Sequence, residues 1–262
     1  MKFKDKVVVV TGGAAGIGKC IVKEFKKAGA KVAVIDKTEA DSEADFFYCG
    51  DIAEENALHD FAGQVKTDFG QIDYLINNAC LSRGGILSDC SFEDFLYVQK
   101  VGVAAPYFLT KLFLPNFAPE GAIVNICSTR AFMSQAGTES YSAAKGGILS
   151  LTHALSASLS GYVRVNSVSP GWIDNTASDW SLADNAQHPA GRIGKPEDIA
   201  NMVLYLCSPE ASFISGQNIT IDGGMSKLMI YHGDHGWTYT PKECVRDGDP
   251  QGGDSREVSV GF

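Results

Sequence analysis

Tyr141 and Lys145 stand four residues apart, and Ser128 lies thirteen residues upstream, just past the apolar run 123–126. Residues four apart share one face of a helix. An ammonium beside a phenol stabilises the phenolate, so such a pair can exchange a proton near neutral pH. A tyrosine four residues before a lysine arises easily by chance in a chain with nine tyrosines. What gives this pair weight is its place after an apolar run, with the serine ahead of it.

A second constellation opens the chain. The run 7–10 has no polar alternation and enters Thr11-Gly12-Gly13-Ala14-Ala15-Gly16-Ile17-Gly18. Gly12, Gly16 and Gly18 lack a Cβ, so the backbone can approach a pyrophosphate while the helix expected over 17–28 points its first amides at the charge. Asp36, 18 residues after Gly18, ends the run 31–35. A carboxylate there accepts from a ribose diol and repels a 2′-phosphate. NAD is therefore the expected cofactor. Ala15 puts no basic residue in the turn, and Lys37 is the only basic group near Asp36.

Positioning these groups requires alternating strands and helices. Strand-like segments at 7–10, 32–35, 46–49, 74–76, 123–126, 163–168 and 218–221 alternate with helical patterns at 17–28, 54–69, 92–117, 141–159 and 196–206. That order predicts an α/β fold with a single doubly wound parallel sheet and helices on both faces. The division expected is 1–228 as the nucleotide-binding and catalytic domain and 229–262 as an extension that forms a lid or a subunit contact. Ligands in such sheets bind beyond the carboxyl ends of the strands. The residues just past the strands therefore belong together: Asn77-Asn78-Ala79-Cys80, Ser128, Tyr141 with Lys145, and Pro170-Gly171-Trp172-Ile173.

Composition narrows the function. A net charge of −9, with no long run among 22 basic residues, argues against a nucleic-acid partner. No apolar segment approaches the roughly 18 residues of a membrane span, and no signal peptide is expected. Seven cysteines without a C-x-x-C pair read as free thiols in a reducing compartment, hence the cytoplasm, and no metal site is expected. His232, Asp234 and His235 lack a fourth ligand and read as hydrogen-bonding or interface groups.

Taken in order, these motifs resemble those of the short-chain dehydrogenase/reductase family over about residues 4–224. The matching elements are T-G-x-x-x-G-I-G at 11–18, Asp51 after the third strand, N-N-A at 77–79, Ser128, Y-x-x-x-K at 141–145, P-G at 170–171 and D-G-G at 222–224. The resemblance implies a Rossmann domain that oxidises an alcohol or reduces a carbonyl by hydride transfer with NAD(P). It further implies Tyr141 as general acid/base, Lys145 as the group that supports the phenolate and holds the nicotinamide ribose, and Ser128 as the donor to the substrate oxygen. Asp51 and Ile52 would border the adenine, Asn78 would sit under the adjoining ribose, Ile173 would present its backbone to the carboxamide, and Ala79, Tyr141 and Pro170 would be further cofactor-binding residues. A homodimer or tetramer is implied as well. The small residues of the helix from Tyr141, among them Ala143, Ala144, Gly146 and Gly147, would let a partner helix come close.

The chain departs from the family pattern at Gly102, where an asparagine of the catalytic tetrad is usual. Pro106 offers a substitute, because it has no N–H for the Gly102 carbonyl and so frees it to hold a relay water. If that carbonyl holds the water, Gly102→Asn should fold normally and alter turnover only modestly; if the chain is a disabled relative it should raise activity, and the plain alternative is a kinked helix whose glycine is a packing accident. Cys80 replaces a usual glycine, and Asn175-Thr176 replaces a single threonine at the pyrophosphate. The substrate expected is a small polar or cyclic secondary alcohol or carbonyl, met by Leu81, Ser82, Arg83, 129–132, Gln135, Glu139, Trp172, Trp180 and His188. The alternative is a catalytically weak NAD-binding sensor or scaffold, motivated by Gly102. Intact Ser128, Tyr141 and Lys145 favour the enzyme.

Overall fold

A computed structural model describes residues 2–238, except for the side chain of His235. Residues 239–262 of the expected extension, with Cys244 of the seven cysteines, lie outside the described residues.

The apolar runs become seven parallel strands: β1 (Val7–Thr11), β2 (Lys31–Asp36), β3 (Phe46–Cys49), β4 (Ile72–Asn77), β5 (Phe117–Ile126), β6 (Arg164–Pro170) and β7 (Asn218–Ile221). Their order is β3-β2-β1-β4-β5-β6-β7, which reverses direction between β1 and β4. Side chains alternate between faces with period two, so an uninterrupted apolar run means burial on both sides. β1 behaves accordingly: Val8 and Val10 join one core, Val7 and Val9 the other. The first core is covered by α1 (Gly16–Lys27) and α7 (Pro196–Cys207). The second lies under α2 (Glu55–Phe69), α4 (Ala105–Phe113) and α5 (Glu139–Ser158).

The single helix expected over 92–117 is broken into pieces. α3 (Phe92–Gln99) passes into a π-helical turn at Lys100–Ala104, then α4, then a 3-10 turn at Leu114–Asn116, and Phe117 already begins β5. The prolines account for the breaks. Pro106 has no N–H for the carbonyls four and five residues back, and Pro115 sits inside the 3-10 turn. In the wide turn, the Ala105 N–H reaches back five residues to the Lys100 carbonyl. The irregular stretch after Trp172 holds one short helix, α6 (Leu182–Ala186).

The chain forms two compact units, Met1–Leu228 and Met229–Phe262, and the sheet and helices lie in the first. In the second, a turn at Asp234–Gly236 is closed by the Gly233 N–H donating to the Trp237 carbonyl at 2.7 Å.

Candidate active site

At the reversal point, β1 and β4 end side by side, with Thr11 paired to Asn77. The Thr11 hydroxyl accepts from the backbone N–H groups of Asn78 and Ala79 at 3.0 and 3.1 Å, and the Asn78 amide donates to the carbonyls of Thr11 and Gly12 at 3.0 and 2.9 Å. The N-N-A motif thus fastens the glycine turn. Gly12 has φ +68°, and a Cβ there would lie 2.9 Å from the Ala79 Cα. On Gly18, a Cβ would strike the Gly12 carbonyl oxygen at 2.0 Å. Any side chain at either position would fill the cradle or force the turn open.

The start of α1 suits an anion. α3 and α6 open with serine–aspartate capping boxes, but the Ala15 N-cap of α1 has no side-chain acceptor and the first turn carries no acid. Backbone amides of Gly16, Ile17 and Gly18 are left to meet a pyrophosphate. Asn175 packs over this turn, with its amide oxygen 3.1 Å from where a Gly16 Cβ would stand. Thr176 is occupied elsewhere, since its hydroxyl bonds Asp174 at 2.7 Å.

Asp36 ends β2 beside the turn. Its carboxylate accepts from the N–H groups of Ala14 and Thr38, both at 3.0 Å, which leaves lone pairs for a diol. Lys37 is turned to the ring of Tyr97, 5.8 Å from its centre. Asp51 accepts from the Ala53 N–H at 2.9 Å and from the Tyr97 hydroxyl at 2.6 Å, which ties α3 to the strand end next to buried Ile52. Burial and the Asp51 carboxylate push the Tyr97 phenol up to about 12.

Tyr141 and Lys145 lie one turn apart near the start of α5. Lys145 is 3% exposed, and its Nζ stands 5.3 Å from the centre of the Tyr141 ring. It donates to the Ile126 carbonyl at 2.7 Å, at the carboxyl end of β5. Burial pulls the Lys145 pKa down, but Cys80, Tyr141 and Cys127 outweigh it and raise it above the ordinary lysine range. The ammonium is therefore retained at neutral pH. Two residues beyond Ile126, buried Ser128 caps a 3-10 turn, and its hydroxyl accepts from the Arg130 N–H at 3.1 Å. Its own proton is left to donate.

Past β6, Ile173 pairs with Gly194. The hydrogen bonds of this bridge use the Trp172 carbonyl and the Asp174 N–H, so the N–H and carbonyl of Ile173 stay out of it. Pro170 closes β6 against Ile221. Thr176, Trp180 and Ser178 hydrogen-bond Asp174 and hold its carboxyl at about 2, pinning the loop. Trp172 and Trp180 meet edge to face at 4.8 Å, and His188 lies buried 6.0 Å from the Trp172 ring. Neither His188 nitrogen has a hydrogen-bond partner among the described residues.

A family model described as Enoyl-(Acyl carrier protein) reductase matches residues 12–226. A protein named only as an uncharacterized oxidoreductase of Thermotoga maritima is 38% identical over 258 residues, covering 87% of this chain and 99% of its own. The chain is a short-chain dehydrogenase/reductase. Among solved structures, an apo SCOR enzyme from Clostridium thermocellum superimposes with a TM-score of 0.83 at 44% identity, covering 91% of this chain and 99% of that one. The 3-ketoacyl-(acyl-carrier-protein) reductase of Brucella melitensis, solved with NADH, gives 0.78 at 30% identity over 86% and 99%. The family uses a nicotinamide cofactor, and the cradle of this member has the shape and free amides to take one.

Within this dehydrogenase/reductase, the surroundings of the arginines and of Gly102 are defined. Arg83 runs along the Tyr97 ring with its Nε 3.9 Å from Asp94, and Arg130 donates from Nη2 to Gln135 while its Nη1 is buried with no hydrogen-bond partner among the described residues. Gly102 is not open space. A Cβ there would lie 2.8 Å from the Ala144 Cβ and 3.3 Å from the Cys80 sulfur, contrary to the expectation that asparagine folds normally at this position. Several contributors were not legible in the motifs: Thr11 as the fastening hydroxyl, Tyr97 on Asp51, and a buried chain in which Asn77 donates to Asn125 at 2.8 Å and Asn125 to Thr152 at 3.0 Å. A signal existed for the last, since two asparagines at the ends of adjacent strands fall in register.

Proposed function

We propose that the chain is an NAD-dependent enzyme that interconverts a secondary alcohol and a carbonyl of a small polar or cyclic compound, with Ser128, Tyr141 and Lys145 as its catalytic residues. The observation that carries this reading is the buried Lys145 ammonium, anchored on the Ile126 carbonyl and standing over the Tyr141 ring. When bound, the nicotinamide accepts or returns the hydride. In the oxidative direction Tyr141 takes the hydroxyl proton as its phenolate. Ser128 donates to the substrate oxygen, and Lys145 keeps the phenolate stabilised. A sensor or scaffold has no need of all three.

Preference for NAD rests on Asp36 at the end of β2 and on Lys37, which faces Tyr97 rather than a 2′-phosphate. The aromatic pair Trp172 and Trp180, with unpartnered His188 behind it, supports a ring or polar substrate. Free thiols at all six cysteines of the described residues support a cytoplasmic setting, and a homodimer or tetramer is the proposed assembly. A panel of secondary alcohols and 3-oxoacyl thioesters, followed at the NADH absorbance, tests the reading. Turnover with NAD should exceed that with NADP by about tenfold or more, because an acidic residue at the ribose disfavours the 2′-phosphate. Equal use of the two cofactors would remove the NAD assignment.

A further inference from the structure

Lys37 directly follows Asp36, so a cation stands next to the acid proposed to meet the ribose. The Thr38 N–H donates to the Asp36 carboxylate at 3.0 Å, which fixes the backbone around Lys37. Its four-carbon stem stays free to turn, and its ammonium can go either to a 2′-phosphate or to a partner inside the protein. Among the described residues Lys37 forms no salt bridge. Its Nζ lies instead over the Tyr97 ring, 5.8 Å from the centre. A cation within about 6 Å of a ring centre is attracted to its face.

Tyr97 is itself held in place. Its hydroxyl donates to Asp51 at 2.6 Å, and its ring packs against the core under α2 and α4. With the phenol pushed up to about 12, the proton it donates is kept at neutral pH. A second cation uses the same ring, since the Arg83 guanidinium lies 5.7 Å from its centre. Lys37, Asp51 and Arg83 come from the loops after β2, β3 and β4, so one side chain of α3 gathers three loops at the carboxyl edge of the sheet.

We infer that Tyr97 is a cofactor-specificity residue: its ring, anchored through the hydroxyl on Asp51, holds the Lys37 ammonium away from the ribose 2′ position. This rests on the proposed placing of the ribose at Asp36. To the repulsion by that carboxylate it adds a second restraint, the withdrawal of the cation that would offset it.

The experiment compares Tyr97→Leu, which keeps apolar volume against the core, with Tyr97→Phe, which keeps the ring, and with Tyr97→Leu carrying Lys37→Ala. Affinities for NAD and NADP are read by displacement of NADH fluorescence. The contact itself is read by the NMR shift of the Lys37 Cε methylene, assigned by its loss in Lys37→Arg, which a ring overhead moves upfield of the other lysines in the wild type. In Tyr97→Leu the ratio of NADP to NAD affinity should rise about threefold, the size of an exposed cation–π contact, while Tyr97→Phe stays within about twofold of wild type. Adding Lys37→Ala to Tyr97→Leu should return the ratio to the wild-type value or below, which a merely structural loss would not do. An unmoved ratio in Tyr97→Leu, a rise that survives Lys37→Ala, or a wild-type Lys37 signal without the upfield shift overturns the inference. A wild type that binds NADP as tightly as NAD removes the NAD reading, whereas a ratio that still rises in Tyr97→Leu leaves the hold on Lys37 standing.

Discussion

At the scale of single residues, the proposed function draws binding and proton transfer from different atoms. The proposed cofactor cradle is backbone: the Gly12–Gly18 turn fastened by Thr11 and Asn78, and the amides at the start of α1. The proposed proton site is side chain: the Tyr141 phenol, with the Lys145 ammonium 5.3 Å from the centre of its ring. Removing the phenol oxygen touches none of the cradle. Tyr141→Phe is therefore expected to lose about 100-fold or more in turnover while its NAD affinity, measured by calorimetry, stays at the wild-type value. Turnover above about a tenth of wild type would assign the proton to another group.

At the scale of elements, the stretch from α3 to α4 shows where packing departs from sequence pattern. The π-helical turn at Lys100–Ala104 brings Gly102 against Ala144 of α5, and Gly147 meets the Val103 side chain one turn further on. Gly102→Asn is accordingly expected to overpack this contact, costing about 1–3 kcal/mol and lowering the melting temperature by several degrees in a scanning calorimeter, on the order of 2–4 °C per kcal/mol. An unchanged melting temperature would mean that α5 yields without cost.

The strands were readable because a run buried on both faces is apolar throughout. The edge strands Phe46–Cys49 and Asn218–Ile221, neither of them fully buried, also fall where the pattern places them. Glycine turn, N-N-A and Y-x-x-x-K were equally readable, since each packs its chemistry into neighbouring positions. Contacts between distant positions were not. Nothing in the spacing of Cys80 and Gly102 says that a thiol stands beside the place a side chain would take, and Tyr97 reaches Asp51 across 46 positions.

At the scale of the whole molecule, the sheet gathers its strand ends at one edge and leaves the outer face of α5 to solvent. Ala144 and Gly147 turn inward to the π-helical turn, but Ala143, Ala154 and Ala157 are exposed, and nothing lies within 4 Å of where a Gly146 Cβ would stand. Beside them, Leu96, Val103, Ala104, Tyr107 and Leu151 line a hollow of about 390 Å³, and Tyr107 is 51% exposed. Small residues permit close approach of helices, and an apolar hollow with an exposed aromatic at its rim favours burial against a matching surface. A second copy related by a two-fold axis presents the same helix and the same hollow, so one surface serves both partners. Light scattering at micromolar concentration is expected to give a dimer or tetramer mass. Ala154→Arg, which sets a bulky charge on the open face of α5, should shift that mass toward the monomer without altering the protomer's circular dichroism. A monomeric wild type, or an Ala154→Arg variant that assembles as well as wild type, would take the interface off this face.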